Sequence, residues 1–404
     1  MSASWIAAAN GPEAEFPLHG LPYGVAGGRP VAAIGDRAVD LRAAEEAGLF
    51  GEGAPLFAEP HLNPFMAAGP EAWAHIRGRL TDLLREGGDP ALRETPRALV
   101  PLSGLDLSMP FEVAEYTDFY SGRHHAFNAG RLIRGPDKAM PENWFHLPVG
   151  YNGRASTVVV SGTPVRRPRG QLRAEGGPVF GPSRRLDFEL EIGAVVGTPS
   201  EMGRSVSVAE ARAMIFGVVL LNDWSARDIQ AWEYQPLGPF QGKAFASTIS
   251  PWVVPAAALE PTLVPPPPRE APVLPYLAED GPSVWDIALE AELTPAGGAP
   301  HVIARTNARE LYWSAAQQLA HHASSGCAMR TGDLLGSGTV SGPERGEWGS
   351  LLEITEGGTQ PLDLGGATRT WLEDGDTLVL RGRAGGVSFG ICAGTVLPAE
   401  GGTT

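Results

Sequence analysis

Residues 186–197 read LDFELEIGAVVG, and shortly after them residues 214–221 read MIFGVVLL. The first stretch alternates. In an extended chain, side chains two apart share a face, so Phe188, Leu190 and Ile192 fall on one side and Asp187, Glu189 and Glu191 on the other. The second is continuously apolar and is predicted to be a buried strand. It ends at Asn222 and Asp223, where polar side chains can project from a strand end. Taken alone, neighbouring Glu189 and Glu191 fit a solvated strand face more readily than a metal site. Two like charges side by side repel, however, and a bound cation relieves that repulsion, so both readings stand at this point.

Outward from this pair the chain is predicted to be rich in short strands. Gly (52) and Pro (37) exceed a fifth of its 404 residues, yet apolar clusters run throughout, which fits strands joined by turns better than disorder. Ser207 and Glu210 have the spacing of a capping box for a short helix before MIFGVVLL. PEAWAHIRGRLTDLLREGG, residues 70–88, places Ala74, Ile76, Leu80, Leu83 and Leu84 near one helical stripe closed by Gly87 and Gly88. A further helix is expected in RTNARELYWSAAQQLAHHASSG, residues 305–326, with Asn307 and Glu310 as its capping box. The run Pro265–Pro268 excludes a central strand or helix and marks a surface excursion. A change of composition near residue 110 sets the expected boundary, giving units 1–110 and 111–404.

The formal charge of −15 argues against nucleic acid or an anionic membrane surface as partner. Two cysteines, Cys327 and Cys392, without CxxC spacing suggest a reducing compartment. The N-terminus has no basic, apolar leader pattern and no apolar run approaches ~20 residues, so a cytoplasmic protein without membrane attachment is expected.

Chemistry concentrates in three places. YTDFYSGRHHAFNAG, residues 116–130, mixes an acid, aromatics, an arginine and adjacent histidines with no clear helix or strand period. NDWSARDIQAWEYQPLGPFQGKAF, residues 222–245, carries Arg227, Asp228, Gln230, Glu233, Tyr234 and Lys243; on its own it fits a surface helix laced with salt bridges about as well as a site. GPFQGK lacks the glycine spacing of a phosphate loop, and Ala244 stands where a magnesium-binding hydroxyl is needed. GSGTVSG, residues 336–342, is explained by turn chemistry. With no GxSxG elbow and no HExxH pattern, a hydrolase here would use water rather than serine as nucleophile.

Together these motifs resemble the fumarylacetoacetate hydrolase family. The resemblance runs through YTDFYSGRHHA, NWFHLPVGYNGRASTVVVSGTPVRRPRGQ, LDFELEIG, NDWSARDIQAWEYQPLGPFQGKAFASTISPWVVP and GTVSGPERGEWGSLLEIT. It covers most of residues 110–355; the first hundred residues match by length and position. It implies a mainly β (α+β) homodimer with a small N-terminal SH3-like β-barrel domain and a larger mixed β-roll or sandwich C-terminal domain.

The implied reaction is hydrolysis of the carbon-carbon bond of 4-fumarylacetoacetate, a small anionic diketo acid, to fumarate and acetoacetate in tyrosine and phenylalanine breakdown. Other diketone or acylpyruvate hydrolases, decarboxylases and isomerases share the superfamily, and a non-catalytic metal-binding scaffold is the alternative from another class. By the same matching, Ca2+ would fall on Asp118, Glu189, Glu191 and Asp223, and Mg2+ near Asp223, Lys243 and Ser247, where threonine is usual. Oxygen ligands suit such hard cations. His125 corresponds to the general base and Glu353 to its orienting partner, while Arg227, Gln230 and Lys243 correspond to groups that hold negative charge on oxygen. Tyr120, Arg134, Tyr151, Gln230, Tyr234 and Thr339 match substrate-binding positions. His124, where the family commonly has glutamine, is read as structural.

Overall fold

The computed structural model describes residues 3–401. Its centre is the strand Ile215–Asp223, buried along its whole length. Val218 and Leu220 point into one apolar core, with Leu289, Leu380 and Phe389. Val219 and Leu221 point into another, with Tyr23, Val25 and Phe65. Burial on both faces is why this segment is apolar without alternation. Ser207 caps the preceding helix Val208–Met214, with Glu210 reaching back to complete the capping box.

Around this strand lies a mixed sheet. From one edge it runs Gly150–Asn152, Tyr116–Phe119, Leu334–Gly336, Leu190–Val196, Ile215–Asp223, Ser247–Ile249 and Val158–Val160. Tyr116–Phe119 runs parallel to Leu334–Gly336, and Ser247–Ile249 parallel to Val158–Val160; the other pairs in this path are antiparallel. A second sheet, ordered His301–Asn307, Ala288–Thr294, Thr377–Ala384, Val387–Leu397 and Val165–Arg166, covers the Leu220 face.

The Leu221 face is covered by earlier parts of the chain. There the strands Leu99–Pro101, Arg37–Asp40, Arg29–Ile34, Tyr23–Ala26 and Leu107–Ser108 pair in one antiparallel line, where a small SH3-like barrel is expected. The helix Pro70–Leu84 packs Ile76, Leu80, Leu83 and Leu84 into the same core, each burial contributing roughly 1.5–3 kcal/mol. Ala74 is exposed, so the stripe is narrower than its spacing suggests.

Two expectations need correction. Asn307 caps only the short turn Ala308–Glu310; the helix begins at Ala315, where Ser314 and Gln317 form the capping box. Residues 116–130 are not aperiodic: Tyr116–Phe119 is a strand, and Arg123–Arg134 is a helix whose buried face is His125, Ala126, Asn128, Ala129 and Gly130. That face is too polar and too small to read as an apolar stripe. Of the two readings left open for Glu189 and Glu191, burial excludes the solvated face, the residues being 5% and 0% exposed. The excursion after Leu263–Val264 has no regular structure through the proline run.

Candidate active site

Strand register brings the acids together. Asp118 pairs with Gly336 on one side and Tyr151 on the other. Gly336 pairs in turn with Gly193 of the Leu190–Val196 strand, and Asp223 ends the neighbouring strand opposite Ser247. As a result one oxygen from each of Asp118, Glu189, Glu191 and Asp223 lies within 4.8 Å of the others, all four buried.

Gly336 makes that convergence possible. A Cβ at this position would meet Glu191 Oε2 at 3.1 Å and Asp118 Oδ1 at 3.2 Å. It sits in a strand and serves close approach rather than a turn, which corrects the reading of GSGTVSG. Sequence reasoning missed it, because a glycine beside other glycines carries no mark of its neighbours across the sheet.

Two cations enter the cluster. Lys243 Nζ lies 2.5 Å from Asp223 Oδ2 and also bonds Glu189 Oε2. Arg227 Nη2 is 2.7 Å from Glu189 Oε1, an ion pair set off the hydrogen-bond line. Its Nη1 donates to Gln230 Oε1 at 3.2 Å, and Ser247 Oγ donates to Asp223 Oδ1 at 3.1 Å.

The four carboxylates still outnumber these cations, and the field is uneven. Burial and mutual repulsion raise the carboxyls of Asp118 and Glu191 well above the usual range. Asp223 is raised too, burial outweighing Lys243. Burial also pushes Glu189 upward, but Lys243, Arg227 and His125 together hold it below the usual range. Asp118 Oδ1 and Glu191 Oε1 have no hydrogen-bond partner. Buried, unpaired acidic oxygens with no sulfur or nitrogen ligand among them fit a hard divalent cation, which would restore the charge balance.

Beside the cluster stands a hydrogen-bonded pair. His125 Nδ1 is 2.7 Å from Glu353 Oε2, and Nε2 faces the cluster, 3.8 Å from Glu189 Oε1. Glu353 also accepts from Asn128 Nδ2 at 3.0 Å, Ser341 Oγ at 3.0 Å and Ser350 Oγ at 2.8 Å. Burial would favour its neutral form, but His125 and these donors hold its carboxyl below the usual range. Asn128, Ser341 and Ser350 went unnoticed in the sequence, although Ser350 three residues before Glu353 has the spacing of a helix cap, and it does cap Leu351–Ile354.

Asp187 is the other residue missed. Fully buried, it accepts from Arg227 Nε at 2.8 Å and from the backbone N–H groups of Phe188, Leu351 and Leu352 at 2.8, 2.7 and 3.0 Å. Burial pushes its carboxyl upward, while the Arg227 proton is held more tightly, burial notwithstanding, by Glu189 and Asp187. Four donors aimed at two oxygens leave no room for an acid proton, so we take the pair as ionised. Asp187 therefore ties Arg227 to the start of the helix that carries Glu353.

The remaining expected residues are distributed less evenly. Tyr120 sets its ring edge-on to His125, centroids 5.4 Å apart. Arg134, in the last turn of the same helix, donates to the carbonyls of Lys138 and Ala139, and its charge is felt by the Tyr120 hydroxyl. Thr339 is buried with an unpartnered hydroxyl. Its carbonyl would lie 2.3 Å from a Cβ on Gly122, so only glycine lets the helix start pack there. Tyr234 stands apart, half-buried, its hydroxyl accepting from Gln235. His124 turns away from His125, as helix neighbours do, with Nε2 3.7 Å from Glu310.

A carboxylate cluster shaped for a cation, next to an imidazole whose far nitrogen is fixed by a buried acid, is an arrangement suited to metal-assisted proton transfer. Comparison with known proteins is more specific. Residues 19–110 match the family described as fumarylacetoacetase N-terminal, and residues 115–397 the fumarylacetoacetate (FAA) hydrolase C-terminal family. Fumarylacetoacetase of Arabidopsis thaliana is 47% identical, covering 96% of this chain and 97% of its own. The human fumarylacetoacetase is 45% identical over the same shares. A solved fumarylacetoacetate hydrolase from psychrophilic Exiguobacterium antarcticum, 16% identical, superposes with a TM-score of 0.55 over 93% of this chain and 99% of its own, a likeness of fold. The chain belongs to the fumarylacetoacetate hydrolase family.

Proposed function

We propose that this enzyme hydrolyses 4-fumarylacetoacetate to fumarate and acetoacetate with His125 as general base. The supporting observation is the buried His125–Glu353 pair at 2.7 Å, its free nitrogen turned toward a carboxylate cluster with unpaired oxygens. Identity of nearly half over the full length of fumarylacetoacetases supports the substrate.

In this reading His125 Nε2 takes a proton from water, and Glu353 holds Nδ1–H and stabilises the imidazolium. The hydroxide adds to the ketone carbon of the fumaroyl group, the carbon that becomes a carboxyl of fumarate. Lys243 and Arg227, with Gln230 beside them, offset the negative charge on the resulting alkoxide. The carbon-carbon bond then breaks, its electron pair leaves as the acetoacetate enolate, and the imidazolium returns the proton to that carbon. Arg134, Tyr120, Tyr151, Tyr234 and Thr339 are proposed to hold the substrate, the guanidinium pairing with a carboxylate. Asp118, Glu189, Glu191 and Asp223 would hold Ca2+ or Mg2+, with Lys243 and Ser247 adjoining the Mg2+ position. When bound, the cation would supply Lewis-acid polarisation of the substrate.

Every side chain in this scheme comes from residues 118–353, within the proposed catalytic unit 111–404. Among the described residues no helix is long and apolar enough to cross a membrane. A cytoplasmic homodimer completes the proposal, and a solution mass twice that of the chain tests the dimer. The central test is the fall of fumarylacetoacetate absorbance beside a panel of acylpyruvates. Turnover of fumarylacetoacetate that chelation suppresses and His125→Ala abolishes without unfolding is expected. Preference for an acylpyruvate, or wild-type turnover by the variant, would overturn the reading.

A further inference from the structure

A cavity of about 310 Å3 lies away from the acid cluster, sharing no lining residue with it. It is lined by Tyr23 and the helix Pro70–Leu84 on one side, and by Arg212, Phe216, Ala256 and Trp285 on the other. Its walls combine aromatic faces with small alanines, including Ala74, Ala213, Ala257 and Ala316. Ligand sites usually have this character and a volume of roughly 300–1,000 Å3, with a few polar groups setting the orientation.

Two of its polar groups lack a full set of protein partners. Arg77 lines the cavity and donates to the carbonyls of Gly20 and His19, yet among the described residues no carboxylate pairs with it. Two donors engaged of five leave three N–H groups for a ligand. Tyr23 is 1% exposed, and its hydroxyl has no hydrogen-bond partner. The Arg77 charge is felt at that hydroxyl, so cation and orphan donor belong to one locality. Arg212 is already occupied by Glu279 at 2.6 Å. The only acid in the lining, Glu260, is exposed, where water screens its charge.

From this arrangement we infer that the cavity is a second small-molecule site, taking a ligand with a flat apolar body and a single carboxylate. The apolar body lies among Trp73, Phe216, Trp285 and the alanines, and the carboxylate meets Arg77 and the Tyr23 hydroxyl. The half-buried Arg77 guanidinium has no carboxylate beside it, and a ligand carboxylate would pair with it in a bidentate fork.

Calorimetric titration of the full chain with phenylacetate, and with the neutral isostere phenylacetamide, tests this. One equivalent of phenylacetate should bind at least about tenfold more tightly than the amide. Ala74→Phe, a change at an exposed position that fills the cavity, should abolish binding while fumarylacetoacetate turnover stays at the wild-type rate. Arg77→Met should weaken phenylacetate by about tenfold and leave the amide unchanged. Equal affinity for acid and amide, binding that survives Ala74→Phe, or no binding at about 10 mM probe would each overturn the inference. So would a change in sedimentation of Ala74→Phe in place of a lost ligand, since a second copy of the chain would then be the occupant.

Discussion

Replacing Asp187 with asparagine separates its holding of the site from any direct chemistry. The carboxylate offers Oδ1 to the Phe188 and Leu351 N–H groups and Oδ2 to Leu352 N–H and Arg227 Nε. Asparagine keeps one oxygen. Whichever way the amide turns, its NH2 faces two donors, so two of the four bonds are lost. Hydrogen bonds to a charged group contribute about 1.5–3 kcal/mol each, and breaking a buried ion pair from one side costs about 3–5 kcal/mol. Arg227 retains Glu189, so a destabilisation of about 3–4 kcal/mol is expected. Urea unfolding followed by tryptophan fluorescence should show it as a lower midpoint at unchanged slope. Under conditions where the variant is folded, kcat should fall by about 10–100-fold and KM by much less, because Arg227 and the Glu353 helix lose their shared anchor. A wild-type urea midpoint with wild-type kcat would refute the reasoning.

Gly336→Ala places a methyl 3.1 Å from Glu191 Oε2 and 3.2 Å from Asp118 Oδ1; Ca2+ or Mg2+ affinity by calorimetry should drop by about 10–100-fold, and unchanged affinity would remove the proposed role of the glycine. Glu353→Gln retains the shape of the His125 partner but not its charge, so kcat on fumarylacetoacetate should fall at least about a hundredfold; the amide NH2 must face at least one of the four donors, so the thermal midpoint should fall as well. Burial, only partly offset by the Arg330 N–H and charge, raises Asp333 from 3.8 to about 6. Between those values the unfolded chain is ionised while the folded one keeps its proton, so this group's contribution to stability is full below the lower value and lost as pH rises through the higher. After allowance for solvent screening, the stability of Asp333→Asn relative to wild type should therefore improve by on the order of 1–2 kcal/mol across that window. A pH-independent difference in urea midpoints would contradict it.

The parity of LDFELEIG and the apolar run after Met214 suffice for the two central strands, since spacing along a strand is a local property. What lies opposite a face is not local. Glu189 and Glu191 alternate as surface acids do, and only the strand Leu334–Gly336 and the cations Lys243 and Arg227 reveal that their face is interior. His125 was legible through family resemblance, but its helix was not, because the side that packs inward carries His125 and Asn128 for Glu353 in place of an apolar stripe. Competing caps explain the other miss: Asn307 and Ser314 both have a partner three residues on, and the chain between them bends rather than coils.

The strand Ile215–Asp223 belongs to both apolar cores, and its last residue, Asp223, takes part in the acid cluster. Its amides have no cheap opening through which to trade hydrogen for deuterium, since exposing either face means parting one whole core. Exchange there should be governed by global unfolding, and the four acids should persist as a set or vanish as a set. A chain begun near residue 110 would leave Val219 and Leu221 facing water, so pruning the front of the molecule would endanger the chemistry without touching a single catalytic atom.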